Sequence, residues 1–196
     1  MKTTASSTRV RAILRRTHCP ISTIIAALLC GITLPGRADP GQDNRAPEVP
    51  AALAVPDGNK VRFHAYAEGV QIYVATPSPS DPASFVWTFR APEAVLFDND
   101  GGMVGIHYAG PTWESESGSI VVGARVAGAT VDATAIPWLL LRAASTEGPG
   151  IFEGTTFVQR VNTTGGLAPA TPPTQSGQEA RVPYTADYYF FRASQH

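Results

Sequence analysis

The sequence predicts an all-β protein: a single antiparallel β-sandwich or compact β-barrel of about eight or nine strands, following an N-terminal signal peptide. Three observations lead there. Hydrophobic residues make up 43% of the 196 residues, enough to build one core of ordinary domain size. Eighteen glycines and 17 prolines argue against a helical bundle and for short strands joined by turns. Beyond residue 38 apolar residues recur with period two, and no stretch long enough for a helix shows helical period.

The elements follow in order. Residues 39–58 form an extended, proline-rich lead-in, of which Val49 to Val55 could dock as an irregular first strand. Lys60–Ala67 and Gly69–Ala75 both alternate, and Glu68-Gly69 between them suits a tight hairpin turn. Ser84–Arg90 sets Phe85, Trp87 and Phe89 on one face, a stripe that predicts core packing. Ala94–Phe97 reads as a short strand, and Asp98-Asn99-Asp100-Gly101-Gly102 as a turn. Further strands are expected at Met103–Tyr108, Ser119–Val126, Pro137–Ala144, Thr155–Val161 and Val182–Arg192. The last is apolar on both faces, as a central strand would be. The segment Asn162–Ala180 between the final two strands is rich in Thr, Pro and Gly and belongs on the surface. These strands make residues 59–196 a single β domain.

Residues 1–38 are of a different character. They hold six of the 15 basic residues and no acidic one, and an apolar run from Ile21 to Leu34 precedes Gly36-Arg37-Ala38. That run is short for a bilayer-spanning helix, and small residues occupy the −3 and −1 positions for cleavage after Ala38. A secretory signal over residues 1–38 is therefore expected, with a periplasmic or secreted mature protein. Cys30 follows Leu28-Leu29 rather than the small residue that lipoprotein processing requires. Arg15-Arg16 lacks the hydrophobic continuation of a twin-arginine signal.

Both cysteines, Cys19 and Cys30, fall in that signal. The mature chain is then excluded from disulfide scaffolds, thiolate metal sites and cysteine nucleophiles. It retains nine basic and 16 acidic residues, a net charge of −7 that argues against nucleic acid and anionic membrane surfaces as partners. No membrane span is expected after cleavage. The bias of 13 Arg over 2 Lys accompanies GC-rich bacterial coding sequences.

Specific motifs lie in the middle of the chain. They are Ala91-Pro92-Glu93-Ala94, Leu96-Phe97-Asp98, and the run from Gly105-Ile106-His107-Tyr108 through Ala109-Gly110-Pro111 to Thr112-Trp113-Glu114. Others are Ala135-Ile136-Pro137-Trp138, Gln159-Arg160-Val161-Asn162 and Val182-Pro183-Tyr184-Thr185-Ala186. On these the chain, from about Gly58 to Phe191, resembles the secreted-protein family catalogued as domain of unknown function 3455, found in bacteria and fungi. The resemblance implies an export-competent β domain and no established activity. Relatives tend to carry a cysteine where this chain has Ala75 and another near Thr171–Thr174, and both are absent here. Some relatives bear a malate dehydrogenase label. This sequence has no strand-GxGxxG-helix unit, so no dinucleotide is expected.

Candidate chemistry centres on His107. Tyr108, Trp113 and Glu114 flank the Gly110-Pro111 turn beside it, with Glu93 and Asp98 upstream. Imidazole and carboxylate together can ligate a metal or move a proton, which makes His107 and Glu114 candidate metal ligands. His107, Tyr108, Trp113 and Glu114 are the candidate ligand-binding residues, with His107 and Glu114 expected on one concave surface and Trp113 as its wall. The bland alternative is a structural corner at Gly110-Pro111 with a buried His107 and Trp113 packed beneath. Trp87 and Trp138 read as core, and Trp113 as the one tryptophan placed to be an exposed platform. His64, on the polar face of its strand, reads as solvated, and His196 as a free terminus. Three functions stay open: a binding module for a small polar or sugar-like ligand, a metal-dependent enzyme centred on His107 and Glu114, or a structural envelope-associated protein without a small ligand.

Overall fold

The computed structural model describes residues 45–194. The segment expected to be a signal, with both cysteines and the twin arginine, and His196 lie outside the described residues. Among those described, no helix is long and apolar enough to cross a membrane.

The lead-in contributes a 3-10 turn, Ala51–Leu53, rather than the irregular strand expected at Val49–Val55. Pro50 fixes its entry, and the Leu53 N–H closes the turn on the Pro50 carbonyl at 2.8 Å. The Leu53 side chain is fully buried, and the Leu53 carbonyl accepts a 2.6 Å hydrogen bond from Gln159 Nε2. The proline-rich segment is thereby tied to the domain.

Eight strands follow: β1 (Asn59–Pro77), β2 (Phe85–Phe97), β3 (Met103–Tyr108), β4 (Thr112–Ser115), β5 (Ile120–Ala129), β6 (Trp138–Glu147), β7 (Thr155–Gly165) and β8 (Glu179–Ala193). Each pairs antiparallel with its sequence neighbours, and β8 returns to pair with β1 along nearly its whole length. The pairing order is that of a closed barrel, with no edge strand left over. The two-sided apolarity of Val182–Arg192 has its cause here, since β8 is laddered on both sides.

Several local readings are corrected. Glu68-Gly69 is not a turn: β1 runs straight through it. Gly69 sits opposite Ala94, and a Cβ there would lie 2.1 Å from the Glu93 carbonyl oxygen and 2.5 Å from Ala94. The glycine allows a close approach of β2 backbone. Pro92 likewise does not end a strand. It pairs with Gln71 on one side, while the β3 ladder begins only at Ala94 on the other, so its missing N–H leaves no gap. Two expected pairs of short strands thus fuse into β1 and β2, and the four-residue β4, absent from the sequence reading, appears after the Gly110-Pro111 turn.

The stripe Phe85, Trp87, Phe89 is also displaced from the core. Phe89 stands opposite Tyr73 near one end of the sheet and is 51% exposed. Trp87 is half-buried, and its Nε1 donates to the Thr171 carbonyl at 2.9 Å in the loop before β8. That loop returns to β1: Ala75 N–H donates to Gln178 O at 2.8 Å, and Gly177 N–H to Ala75 O at 2.9 Å.

The interior is filled by rings. Phe63, Phe152 and Phe190 meet with centroids 4.5–6.2 Å apart, Phe190 meets Trp113 edge-on at 5.9 Å, and Tyr188 meets Trp113 at 5.4 Å. Gly123 leaves room for them, because a Cβ there would touch Trp113 at 3.0 Å and Leu141 at 3.1 Å. His64 points out of the sheet as its alternation predicts, yet it is buried and not solvated. Tyr189 stacks on it at 4.4 Å, Tyr66 meets it edge-on, and Asn99 Oδ1 lies 3.2 Å from its Nδ1.

Two outcomes follow from this architecture. Gly69→Ala forces β1 and β2 apart and should lower unfolding stability by about 2 kcal/mol or more, read from urea denaturation; a neutral effect would mean the close approach relaxes freely. A cysteine pair at Ala75 and Gln178 should oxidise and raise stability by roughly 2–4 kcal/mol, lost on adding reductant.

Candidate functional site

The β3–β4 hairpin positions the candidate residues. Its register places His107 opposite Trp113, Tyr108 opposite Thr112, and Ile106 opposite Glu114. Opposed residues share a face, so the hairpin sorts the four candidates into two groups. His107 and Trp113 point inward, 2% and 1% exposed. Tyr108 and Glu114 lie on the outer face, where the Tyr108 hydroxyl donates to Glu114 Oε2 at 2.9 Å. That bond raises the Tyr108 pKa, because ionising the phenol would set two anions side by side. His107 and Glu114 therefore do not share a concave surface, and their pairing on one metal is not supported by this geometry. Among the described residues no group of three His, Cys, Asp or Glu side chains converges for a metal. Trp113 is no exposed platform. It is among the most buried side chains.

His107 lies flat on Trp113, with ring centroids 4.5 Å apart and planes 10° from parallel, and meets Tyr188 edge-on at 5.1 Å. Its Nδ1 is 2.8 Å from the Thr112 carbonyl, so Nδ1 carries the proton and donates. Thr112 is fixed in turn by its own hydroxyl, which donates to the Ala109 carbonyl at 2.9 Å. Burial pushes the imidazole down to about 3, against the opposing pull of the Thr112 carbonyl. The ring is neutral at any physiological pH, with Nε2 an acceptor.

Above these rings lies a cavity of about 380 Å³, to which all eight strands contribute. His107, Trp113 and Tyr188 make its floor. Tyr73, Phe89 and Pro92 form one wall, and Ile136, Leu139 and Leu141 the other. Ile136 is held by its N–H to Gly165 O at 2.9 Å and by its carbonyl, which accepts from Thr163 Oγ1 at 2.6 Å. Three arginines, Arg90, Arg125 and Arg160, complete the lining, and no carboxylate does.

Arg160 is the cation set deepest. It lies opposite Leu139 and Tyr188, two inward residues, so it points into the barrel. Its Nε and Nη2 both donate to the Pro137 carbonyl, at 3.3 and 2.8 Å. Burial raises the pKa of Tyr73, Tyr184 and Tyr188, and in each the Arg160 charge opposes the rise. Arg90 differs: it is exposed and paired with Glu179 at 3.1 Å.

Two buried donors at the cavity have no partner among the described residues. These are Trp113 Nε1 and Gln71 Nε2, on side chains 1% and 2% exposed. The Gln71 amide lies beside the Tyr184 hydroxyl and opposes the rise in its pKa. Arg160 and Gln71 were missed by sequence reasoning. A charged residue alternating with Val158 on an inward face was the available signal.

The His107 environment makes a pH prediction. The folded pKa of about 3 lies below the ordinary 6.5, so the unfolded chain binds a proton that the folded chain refuses. The His107 contribution is constant above pH 6.5 and costs stability as pH falls from there towards 3, at up to roughly 1.4 kcal/mol per pH unit. Urea midpoints across that window should therefore fall more steeply for the wild type than for His107→Gln. Equal slopes would show that the imidazole is not held neutral.

No curated protein and no solved structure matches the chain. The family model described as protein of unknown function (DUF3455) matches residues 56–192, which spans β1 to β8 almost completely, and the chain belongs to that family.

Proposed function

We propose that this protein is an exported binding module that holds a small ligand in the cavity at the His107–Trp113 end of the closed sheet. The observation that carries the reading is the cavity itself, which all eight strands line with apolar side chains around the inward-pointing Arg160. Size supports the reading as well: about 380 Å³ falls within the range of small-molecule sites, and an eight-stranded barrel can enclose one small ligand. The lining joins apolar walls to a few polar groups, as such sites do. Export rests on the basic and apolar character of residues 1–38. Of the residues singled out from sequence, His107 and Trp113 line this cavity, whereas Glu114 does not.

The test is thermal unfolding against a panel of small polar compounds, sugars included, for the wild type and for Leu139→Trp, which fills the cavity. A true ligand at a hundred times its Kd should stabilise the wild type by about 2.7 kcal/mol and leave Leu139→Trp unmoved. A shift of equal size in both would place binding elsewhere.

A further inference from the structure

Arg160 reaches the cavity from β7 with its charge uncompensated. Among the described residues no carboxylate pairs with it, and its fork is met by neutral oxygens alone, the Pro137 carbonyl and the Tyr188 hydroxyl. A cation drawn partly out of water against a floor of rings wants a counter-charge. The cavity lining holds no acid to meet it, and of the two other arginines there Arg90 is already paired with Glu179. Arg125, opposite Leu141 on β5, adds a second cation without an ion pair among the described residues. The cavity thus offers donors and positive charge above apolar walls.

Resting on the binding reading above, we infer that the ligand is an anion: a small monocarboxylic acid whose carboxylate is read by the Arg160 guanidinium and whose aromatic or branched apolar body lies between Trp113 and the Leu139–Leu141 wall. A planar carboxylate matches the guanidinium fork, and the Pro137 carbonyl holds that fork in orientation before binding. The apolar walls explain why the site takes an acid with a body and not a bare oxyanion. His107, fixed as the neutral tautomer, adds no third charge to the floor.

The experiment titrates the purified wild-type chain with phenylacetate and 3-phenylpropionate, with their uncharged primary amides, and with inorganic phosphate, by calorimetry. The acids should bind at least about tenfold more tightly than the amides, weaken with added salt, and weaken again as pH falls through the ligand carboxyl's own pKa. In Arg160→Met the acid-over-amide preference should collapse, and in Arg160→Lys it should fall only in part. The acid–amide comparison uses the wild type alone, so it stands even if a variant fails to fold. Equal binding of acid and amide overturns the anion inference while leaving the cavity reading intact. Phosphate binding more tightly than either acid overturns the carboxylate class. Absence of binding by acids and amides alike overturns the inference, and with the sugar panel also silent it overturns the cavity reading too.

Discussion

Closure of the sheet makes every strand answer to the same interior. With β8 returned to β1 there is no open edge to template pairing with another chain. Most packing comes from side chains pointing inward from eight strands, with Leu53, Ile136 and Phe152 added from the segments between and before them. In this chain they are mostly rings: Phe63, Phe152 and Phe190 towards one end, then Trp113, Tyr188 and His107. Aromatic rings bury large areas with few rotatable bonds, and the edge-on contacts match their quadrupoles. Room for them is made by backbone, at Gly123 beneath Trp113 and at Gly69 and Gly105, where neighbouring strands come too close to admit a Cβ.

The same packing sets the electrostatics. The His107 imidazole completes the column by stacking on Trp113, and burial on that ring holds it neutral. Past His107 the column ends, and what remains of the interior is the cavity with Arg160 projecting into it. Phenols around Arg160 stay protonated because burial outweighs its charge. One strongly basic group therefore faces a floor that does not ionise. The chain as a whole is acidic beyond residue 38, so a cluster of cations at this mouth is a local departure rather than a general surface property.

Much of this was legible in the sequence. Period-two alternation located β3, and it placed β5 to β8 to within a few residues; it also put Tyr184, Ala186, Tyr188 and Phe190 on one face, all buried. It failed where residue type and role diverge. Gly69 and Pro92 are punctuation in most contexts, but here one serves close approach and the other sits where no ladder bond is needed. Phe89 and Trp87 alternate like core residues at a place where β2 outruns the packed interior. His64 shows the converse: its outward face was right, and while Tyr66 is its neighbour two residues on, the Tyr189 ring stacked on it comes from the β1–β8 pairing, which no local pattern encodes.

The candidate site was half legible for a reason that is geometric. His107, Tyr108, Trp113 and Glu114 are crowded by the Gly110-Pro111 turn, and crowding in sequence says nothing about facing. The facing is fixed by one parity. With His107 opposite Trp113, residues two apart from either share the interior, and Tyr108 and Glu114 must go outside. A register slip of one residue would have put Glu114 beside His107 and made a carboxylate–imidazole pair. The observed register instead gives the interior a neutral ring and gives the outer face a phenol–carboxylate hydrogen bond. With Glu114 outside, this hairpin sends no acid into the cavity, and the Arg160 guanidinium there faces no carboxylate.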